Sequence, residues 1–462
     1  MLRLGLILSL LAAPEATTVP WQRLDAGQLQ SAGALAHDYM DFLGRAKIPL
    51  RRTRYLVEKL KAAGFKPYSA AERWAPGARF YMLNRERALL AVVVGSRPLV
   101  EGPRLIGAHL DSPRLDLRIR PLRAAEGLML LKSEPYGGIK RYQWSNLPLA
   151  LEGQVAKQDG TLVDVSIGDD PADPVFMLPD LAPHVDKEMR TRTQDLIFKG
   201  DELNVVAGAL PDEKGDLTKG FLGELHRRYG LVEEDLVSAE LSLVPAMAPR
   251  TVGLDGSLIG AYGQDDGLCS YLAARSLIDL KGTPTRTCMA YLVDHEEVGN
   301  VNATGVRSRF LTNALERFAV REGHPEALHD HVASLLTHAE VLSADVSQAI
   351  NPNFPGTEDH ETTARLGQGF TFKTMKPGYD ASPTFRARLR RVMAKHQIPW
   401  QTYAYKVDVG GGGTIGASLQ ELDMDVADVG APVLAMHGTF ELSAKADVYA
   451  LNRFFGAFYG DP

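Results

Sequence analysis

Cysteine is almost missing from this 462-residue chain, which has only Cys269 and Cys288. They form no CxxC pair, so a disulfide framework and a thiolate zinc knuckle are both excluded. Each lies in an apolar stretch, where a buried free thiol is expected. Long basic runs are missing too, and the formal net charge is only -6. A nucleic-acid binder needs clustered cations to neutralise phosphates, so that class is excluded. No apolar run reaches the ~20 residues of a bilayer crossing, so no membrane partner is expected. The one short run, Leu4 to Ala13 after Arg3, has the length of a signal-peptide core. Pro14 and Glu15 stand where a cleavage site requires small residues. Residues 1–20 are read as a signal-like or disordered segment. A cytoplasmic location is expected, with export as the alternative.

Several catalytic signatures are also lacking. No His-Glu-x-x-His occurs, against a one-zinc protease of that type. No Gly-x-Ser-x-Gly elbow occurs, against a serine hydrolase. The glycine loop Gly410 to Gly416 lacks the lysine of a phosphate-binding loop and reads as a tight passage near an active site.

What is present is an ordinary globular profile, 45% hydrophobic and 23% charged. At roughly 100–200 residues per domain, two or three domains are expected. Helical spacing marks Thr53 to Phe65, Leu268 to Leu280, Ala314 to His338 and the basic stretch Tyr379 to His396. Buried strands are expected at Leu89 to Gly95, Arg104 to Ala108, Cys288 to Val293, Val341 to Ala344 and Val433 to Met436. This alternation predicts an α/β fold with helices on both faces of a sheet. Between Arg114 and Leu243 short alternating segments are broken by Gly, Pro and Asp, which predicts a β-rich insert. The α/β body then comprises 21–113 and 244–462, and the insert 114–243.

Metal-capable residues collect at the ends of these strands. RLIGA leads to His109-Leu-Asp111, CMAYLV to Asp294-His-Glu296-Glu297, VLSA to Asp345, and VLAM to His437. Asp265-Asp266 follows the strand-like Leu258 to Tyr262. In open α/β sheets, ligand sites lie at strand carboxyl ends. Imidazole and carboxylate donors suit zinc, cobalt or manganese. Two ions ~3.5–4 Å apart need a bridging carboxylate, which the Asp265-Asp266 pair offers. His109-x-Asp111 supplies a donor and a partner that orients it. On extended chain Glu296 and Glu297 point apart, so that one binds an ion while the other takes a proton from the attacking water. Taken singly, each fits a plainer role: His109 a core histidine, Asp111, Asp266 and His437 turn residues, Glu296-Glu297 an acidic loop, Asp345 a helix cap. His329-Asp330-His331, in a polar helical stretch, is expected at the surface. Their coincidence carries the reading.

From about Ala36 onward the chain resembles the aspartyl and vacuolar aminopeptidase family of zinc metallopeptidases, most closely a bacterial branch. The resemblance rests on His109-Leu-Asp-Ser-Pro113, Glu134-Pro-Tyr-Gly-Gly138, Gly260-Ala-Tyr-Gly-Gln-Asp-Asp266, Asp294-His-Glu-Glu-Val-Gly299, Ser343-Ala-Asp345, Lys406 to Gly416 and Met436-His437. It implies a three-layer α/β catalytic domain with a mixed central sheet, interrupted by a β-rich dimerisation domain. It implies two divalent ions, zinc first with cobalt or manganese as alternatives. Asp265 would bridge them, His109 and Asp345 completing one site and Glu297 and His437 the other. Glu296 would be the general base, Asp111 would orient His109, and Asp265-Asp266 would be a cis peptide. Peptides would be the substrates, and homo-oligomers up to dimer-based dodecamers the assembly. The aspartyl-specific branch carries histidines shortly after the metal-binding aspartate. Gln348 and Asn351 stand there in this sequence, so an acidic preference does not carry over. Two alternatives to an aminopeptidase remain: a two-metal amidohydrolase acting on N-acyl amino acids, and an inactive peptide-binding shell.

Overall fold

The computed structural model describes residues 21, 24–70, 74–323, 328–374, 381–409 and 411–461. The signal-like run Leu4 to Ala13, together with Tyr379 and Gly410, lies outside these residues.

Helix starts follow their local chemistry. The Asp25 carboxylate accepts from Gln28 N at 2.8 Å and the Gln28 side chain accepts from Asp25 N, closing a capping box on Ala26–Arg45. Pro49 opens Pro49–Ala62 in the first turn, where its missing N–H costs nothing. Ser382 caps Pro383–Lys395, the basic helix.

The core is a nine-stranded mixed sheet. Its spatial order is Lys66–Pro67, Arg79–Asn84, Ala88–Val93, Cys288–Val293, Arg104–His109, Glu340–Ala344, Asp425–Gly430, Phe370–Thr374 and Trp400–Ala404. The four strands from Cys288–Val293 to Asp425–Gly430 run parallel. Successive side chains alternate between the two faces, and both faces are covered. Ile106, Ala108, Ala290 and Leu292 meet Leu268, Leu272, Leu451 and Phe454 on one side. Leu105, Met289, Tyr291 and Val293 meet Leu311, Leu315, Phe318 and Leu419 on the other. Burial on both sides is why these strands read as unbroken apolar runs. The result is the expected three-layer α/β architecture.

A separate six-stranded antiparallel sheet is built wholly from residues between Arg114 and Pro245. Its order is Leu162–Ile167, Leu149–Ala156, Ala239–Pro245, Arg114–Ala125, Leu128–Tyr136 and Asn204–Gly208. It has its own core around Trp144, Leu149, Val205 and Leu243. A third, five-stranded sheet runs Arg250–Val252, Leu258–Ala261, Glu441–Ala444, Pro432–Leu434 and Ser347–Gln348.

Some expectations need correction. Ala314 to His338 is two helices, Phe310–Glu322 and Leu328–Thr337, and residues 324–327 between them lie outside the described ones. His329 is exposed as expected, but His331 is buried and its Nε2 lies 3.3 Å from Glu322. It sits one turn's fraction round the helix, on the face that packs inward. Both cysteines are free and buried, as expected. Among the described residues no helix is long and apolar enough to cross a membrane.

Candidate metal centre

Two sheets converge on the site. The central sheet supplies three of its loops: His109 ends Arg104–His109, Asp294 to Glu297 follow Cys288–Val293, and Asp345 follows Glu340–Ala344. Val293 pairs with His109, so parallel register alone brings the first two loops side by side. The other two loops belong to the five-stranded sheet, not to the central one. Leu258–Ala261 leads to Asp265-Asp266, and Pro432–Leu434 leads to His437. The strand-end pattern in the sequence therefore merges two sheets into one.

The predicted residues do come together. Donor atoms of His109, Asp265 and Glu297 lie within 4.8 Å of one another, and so do those of His109, Asp266 and Asp345. Asp265 Oδ1 is 3.3 Å from His109 Nε2, and its Oδ2 is 3.1 Å from His437 Nε2. One buried carboxylate thus faces two histidines with its two oxygens. Glu297 Oε1 lies 3.6 Å from the same His437 nitrogen. The Asp265-Asp266 peptide is cis. His437 is the most open donor, with a third of its side chain exposed, and marks the mouth of the site.

The tautomers of both rings are set from behind. His109 Nδ1 is 3.2 Å from Asp111 Oδ1 and 3.0 Å from the Asp111 carbonyl. His437 Nδ1 is 3.1 Å from the carbonyl of Gly138. With a proton held on each Nδ1, each Nε2 can release its own and offer a lone pair to a cation in front of Asp265. Asp111 also accepts from Tyr136 Oη at 2.8 Å and from the backbone N–H groups of Glu296 and Glu297, each at 3.1 Å. It therefore aims an imidazole and anchors the glutamate turn together. That turn is not extended, as the sequence reading has it. His295 takes a left-handed conformation and Glu296–Val298 is a short 3-10 turn. The two side chains still part, because neighbours on a 3-10 turn point ~120° apart.

Electrostatics explain what this donor set accepts. Burial, then neighbouring carboxylates, pushes Glu296 up to about 7, against the opposing pull of His109. Burial likewise raises Asp345 to about 6, with Lys373 opposing and Asp265 adding. Asp266 and Glu297 are raised strongly, first by burial. Asp111 moves the other way, to about 2, because the hydrogen bonds and charges of His109 and then Tyr136 outweigh its burial. Glu297 Oε1 and Asp266 Oδ2 are buried without a hydrogen-bond partner. Crowded carboxylates, orphaned oxygens and two aimed imidazole lone pairs fit divalent cations, whose charge reverses these upward shifts.

Sequence reasoning missed Tyr136 and Gly138 as working parts. Their motif, Glu134 to Gly138, was visible, but nothing in it shows that it leaves the six-stranded sheet to reach both histidines. Lys373 was also missed. It is buried beside Asp345, and its Nζ donates to the Val346 carbonyl at 2.8 Å. Gln348, half-buried next to this group, turns its amide to the Ala349 carbonyl. Tyr136→Phe removes one hydrogen bond to an ionised carboxylate, ~1.5–3 kcal/mol. A fall in kcat/KM on the order of tenfold is expected, with the fold intact. Steady-state kinetics beside circular dichroism checks it, and unchanged kcat/KM refutes the linkage.

A model of the aminopeptidase I zinc metalloprotease (M18) family matches residues 42–459. A protein of Clostridium acetobutylicum described as a probable M18 family aminopeptidase 1 is 37% identical over 453 residues, covering 95% of this chain and 97% of that one. The crystal structure of an M18-family aminopeptidase from Thermotoga maritima matches with a TM-score of 0.91 at 36% identity, covering 96% of this chain and 99% of the other. An S. cerevisiae mApe1 dodecamer shares the fold at 22% identity and a TM-score of 0.76, covering 92% and 96%. The amidohydrolase and inactive-shell alternatives are not favoured by these relationships. The chain belongs to the aminopeptidase I zinc metalloprotease (M18) family, and is a metal-dependent aminopeptidase.

Proposed function

We propose that this aminopeptidase works with two divalent ions of the zinc class, which Asp265 would hold in common. The observation that carries this is the pair of Asp265 oxygens, each facing the Nε2 of a different histidine. His109 and Asp345 complete one site, and Glu297 and His437 the other. Zinc, cobalt and manganese all suit these donors. When bound, such ions supply Lewis acidity and make water a competent nucleophile at neutral pH.

The chain's own residues do the rest. The Glu296 carboxyl, half-buried beside the cluster, is placed to accept a proton and return it. It takes the proton of the attacking water and delivers one to the departing amine. Asp111 keeps the Glu296 backbone and the His109 ring in register. The peptide's free α-amino group enters beside His437, the open side, and an unblocked terminus is required because an acylated nitrogen offers no lone pair to such a centre.

The six-stranded sheet between Arg114 and Pro245 is proposed as the surface through which copies associate, with residues 21–113 and 244–462 as the catalytic body. The dodecamer of the yeast relative supports a homo-oligomer. With Gln348 and Asn351 in place of histidines, an acidic N-terminal preference is not proposed.

Elemental analysis is expected to find two ions per chain. Stripping them with a chelator should abolish hydrolysis of unblocked aminoacyl substrates and lower Tm, because ligand binding contributes ~2.7 kcal/mol at a hundredfold excess over Kd. Re-addition of zinc, cobalt or manganese should restore activity. N-acetylated substrates should remain uncleaved throughout; their preferential cleavage would overturn the assignment. A panel of acidic, basic and aliphatic aminoacyl fluorophores measures the side-chain preference.

A further inference from the structure

Helix Pro49–Ala62 presents a run of basic residues, and one of them behaves unlike the others. Arg51 and Arg54 pair with Glu152, Glu86 and Asp164. Arg52 is fully buried and donates only to backbone carbonyls: Ala46 at 3.2 Å, Leu110 at 2.9 Å with Asp111 at 3.5 Å, and Gly263 at 2.7 Å. Leu110 lies between His109 and Asp111. Gly263 lies two residues before Asp265. A single guanidinium therefore joins the loop of one histidine to the loop of the bridging aspartate. The approach is close enough that a Cβ on Gly263 would meet Arg52 Nη2 at 2.4 Å.

Across the same segment lies Glu441, buried at the start of strand Glu441–Ala444. Its Oε2 accepts from Gln264 N at 2.6 Å and Asp265 N at 3.2 Å, while its Oε1 accepts from His437 N at 2.8 Å. The Gly263–Asp265 backbone is thus gripped by its carbonyl from one side and by its N–H groups from the other. The two grips extend to Leu110 on one flank and to His437 on the other.

We propose that Arg52 and Glu441 are positioning residues forming one brace, which fixes the separation of the His109 and His437 nitrogens across Asp265 and so sets the affinity for the second ion. This rests on the two-ion reading above. Neither side chain supplies an ion ligand. Arg52 acts through its fork geometry, which a lysine cannot span. Glu441 acts through three accepted N–H bonds, of which a glutamine can accept only part.

The test is a zinc titration of the metal-free full chain against a competing chromophoric chelator, for wild type, Arg52→Lys, Glu441→Gln and the double variant. Wild type should take up two ions. Each single variant should bind the first ion within about threefold of wild type and the second about tenfold or more weakly. The double variant should lose less than the product of the two single effects, because either change alone frees the same segment. At fixed zinc, kcat should fall with occupancy of the second ion and rise again as zinc is added, while KM moves less than about twofold. Wild-type affinity for both ions in the variants, even with a lowered Tm of the metal-free protein, would reduce the pair to a structural role and overturn the brace. Single effects that multiply independently would overturn it as a unit. Uptake of one ion by wild type would instead sink the two-ion reading itself. If Glu441→Gln does not fold, Arg52→Lys alone decides the affinity question, since it keeps the charge.

Discussion

Replacing Glu296 with glutamine is expected to cut kcat by a few hundredfold or more while leaving the ion content of the protein unchanged. Positioned proton transfer contributes about 10²–10⁴-fold to such reactions. Glutamine keeps the size and the half-buried position of the side chain but accepts no proton from the attacking water. The turn itself should survive, because Asp111 holds residue 296 by its backbone N–H and not by its side chain. Neither of the two close donor clusters includes Glu296, so metal content should hold. Stopped-flow turnover beside elemental analysis checks both halves. Near wild-type turnover in a fully loaded variant would remove Glu296 from the chemistry.

The second large effect is expected at Asp265. Asp265→Ala deletes both oxygens that face His109 and His437, so the ions should leave together and activity should fall by about a thousandfold or more. The side chain is a carboxylate in the folded chain. Hydrogen bonds from both histidines hold its pKa below the usual range in spite of burial. Removing it leaves two imidazoles without their common acceptor and relieves repulsion among Asp266, Glu297 and Asp345. The metal-free variant should still lose stability, since the two histidines lose the carboxylate they pair with. Retention of two ions per chain would count decisively against Asp265 as the bridge.

How legible the centre is in the sequence depends on the kind of residue. Ligand candidates stand out because imidazoles and carboxylates at the ends of apolar strands have few other reasons to be there. His109, Asp265, Glu297, Asp345 and His437 follow that pattern, and the structure gathers them. The three layers are legible for the same reason, since strands covered on both faces leave unbroken apolar runs. What is not legible is the support. Arg52 lies in Arg51-Arg52-Thr53-Arg54, and nothing local distinguishes the buried guanidinium from its paired neighbours. Glu441 acts through backbone N–H groups far away in sequence. His331 shows the same limit from the other side, because a polar stretch conceals which turn of a helix faces inward. Membership of a second sheet is likewise hidden. The strands before Asp265 and His437 look like any others until the pairing of Leu258–Ala261 with Glu441–Ala444 is seen.

The short loop from Tyr136 to Gly138 has one more consequence, for anyone who would rebuild this enzyme. It departs from the six-stranded sheet, yet its hydroxyl holds Asp111, the partner of His109, and its carbonyl stands behind His437. The body cannot be cut free of the insert and keep its chemistry. A trimmed version closed over by a linker should fold around its central sheet and still be inert, since His437 would have lost its backing carbonyl and Asp111, which backs His109, its tyrosine. An insert exchanged between relatives would need to bring this loop with it. In modular terms, the boundary between the central-sheet scaffold and the proposed assembly surface runs through the candidate metal centre rather than around it.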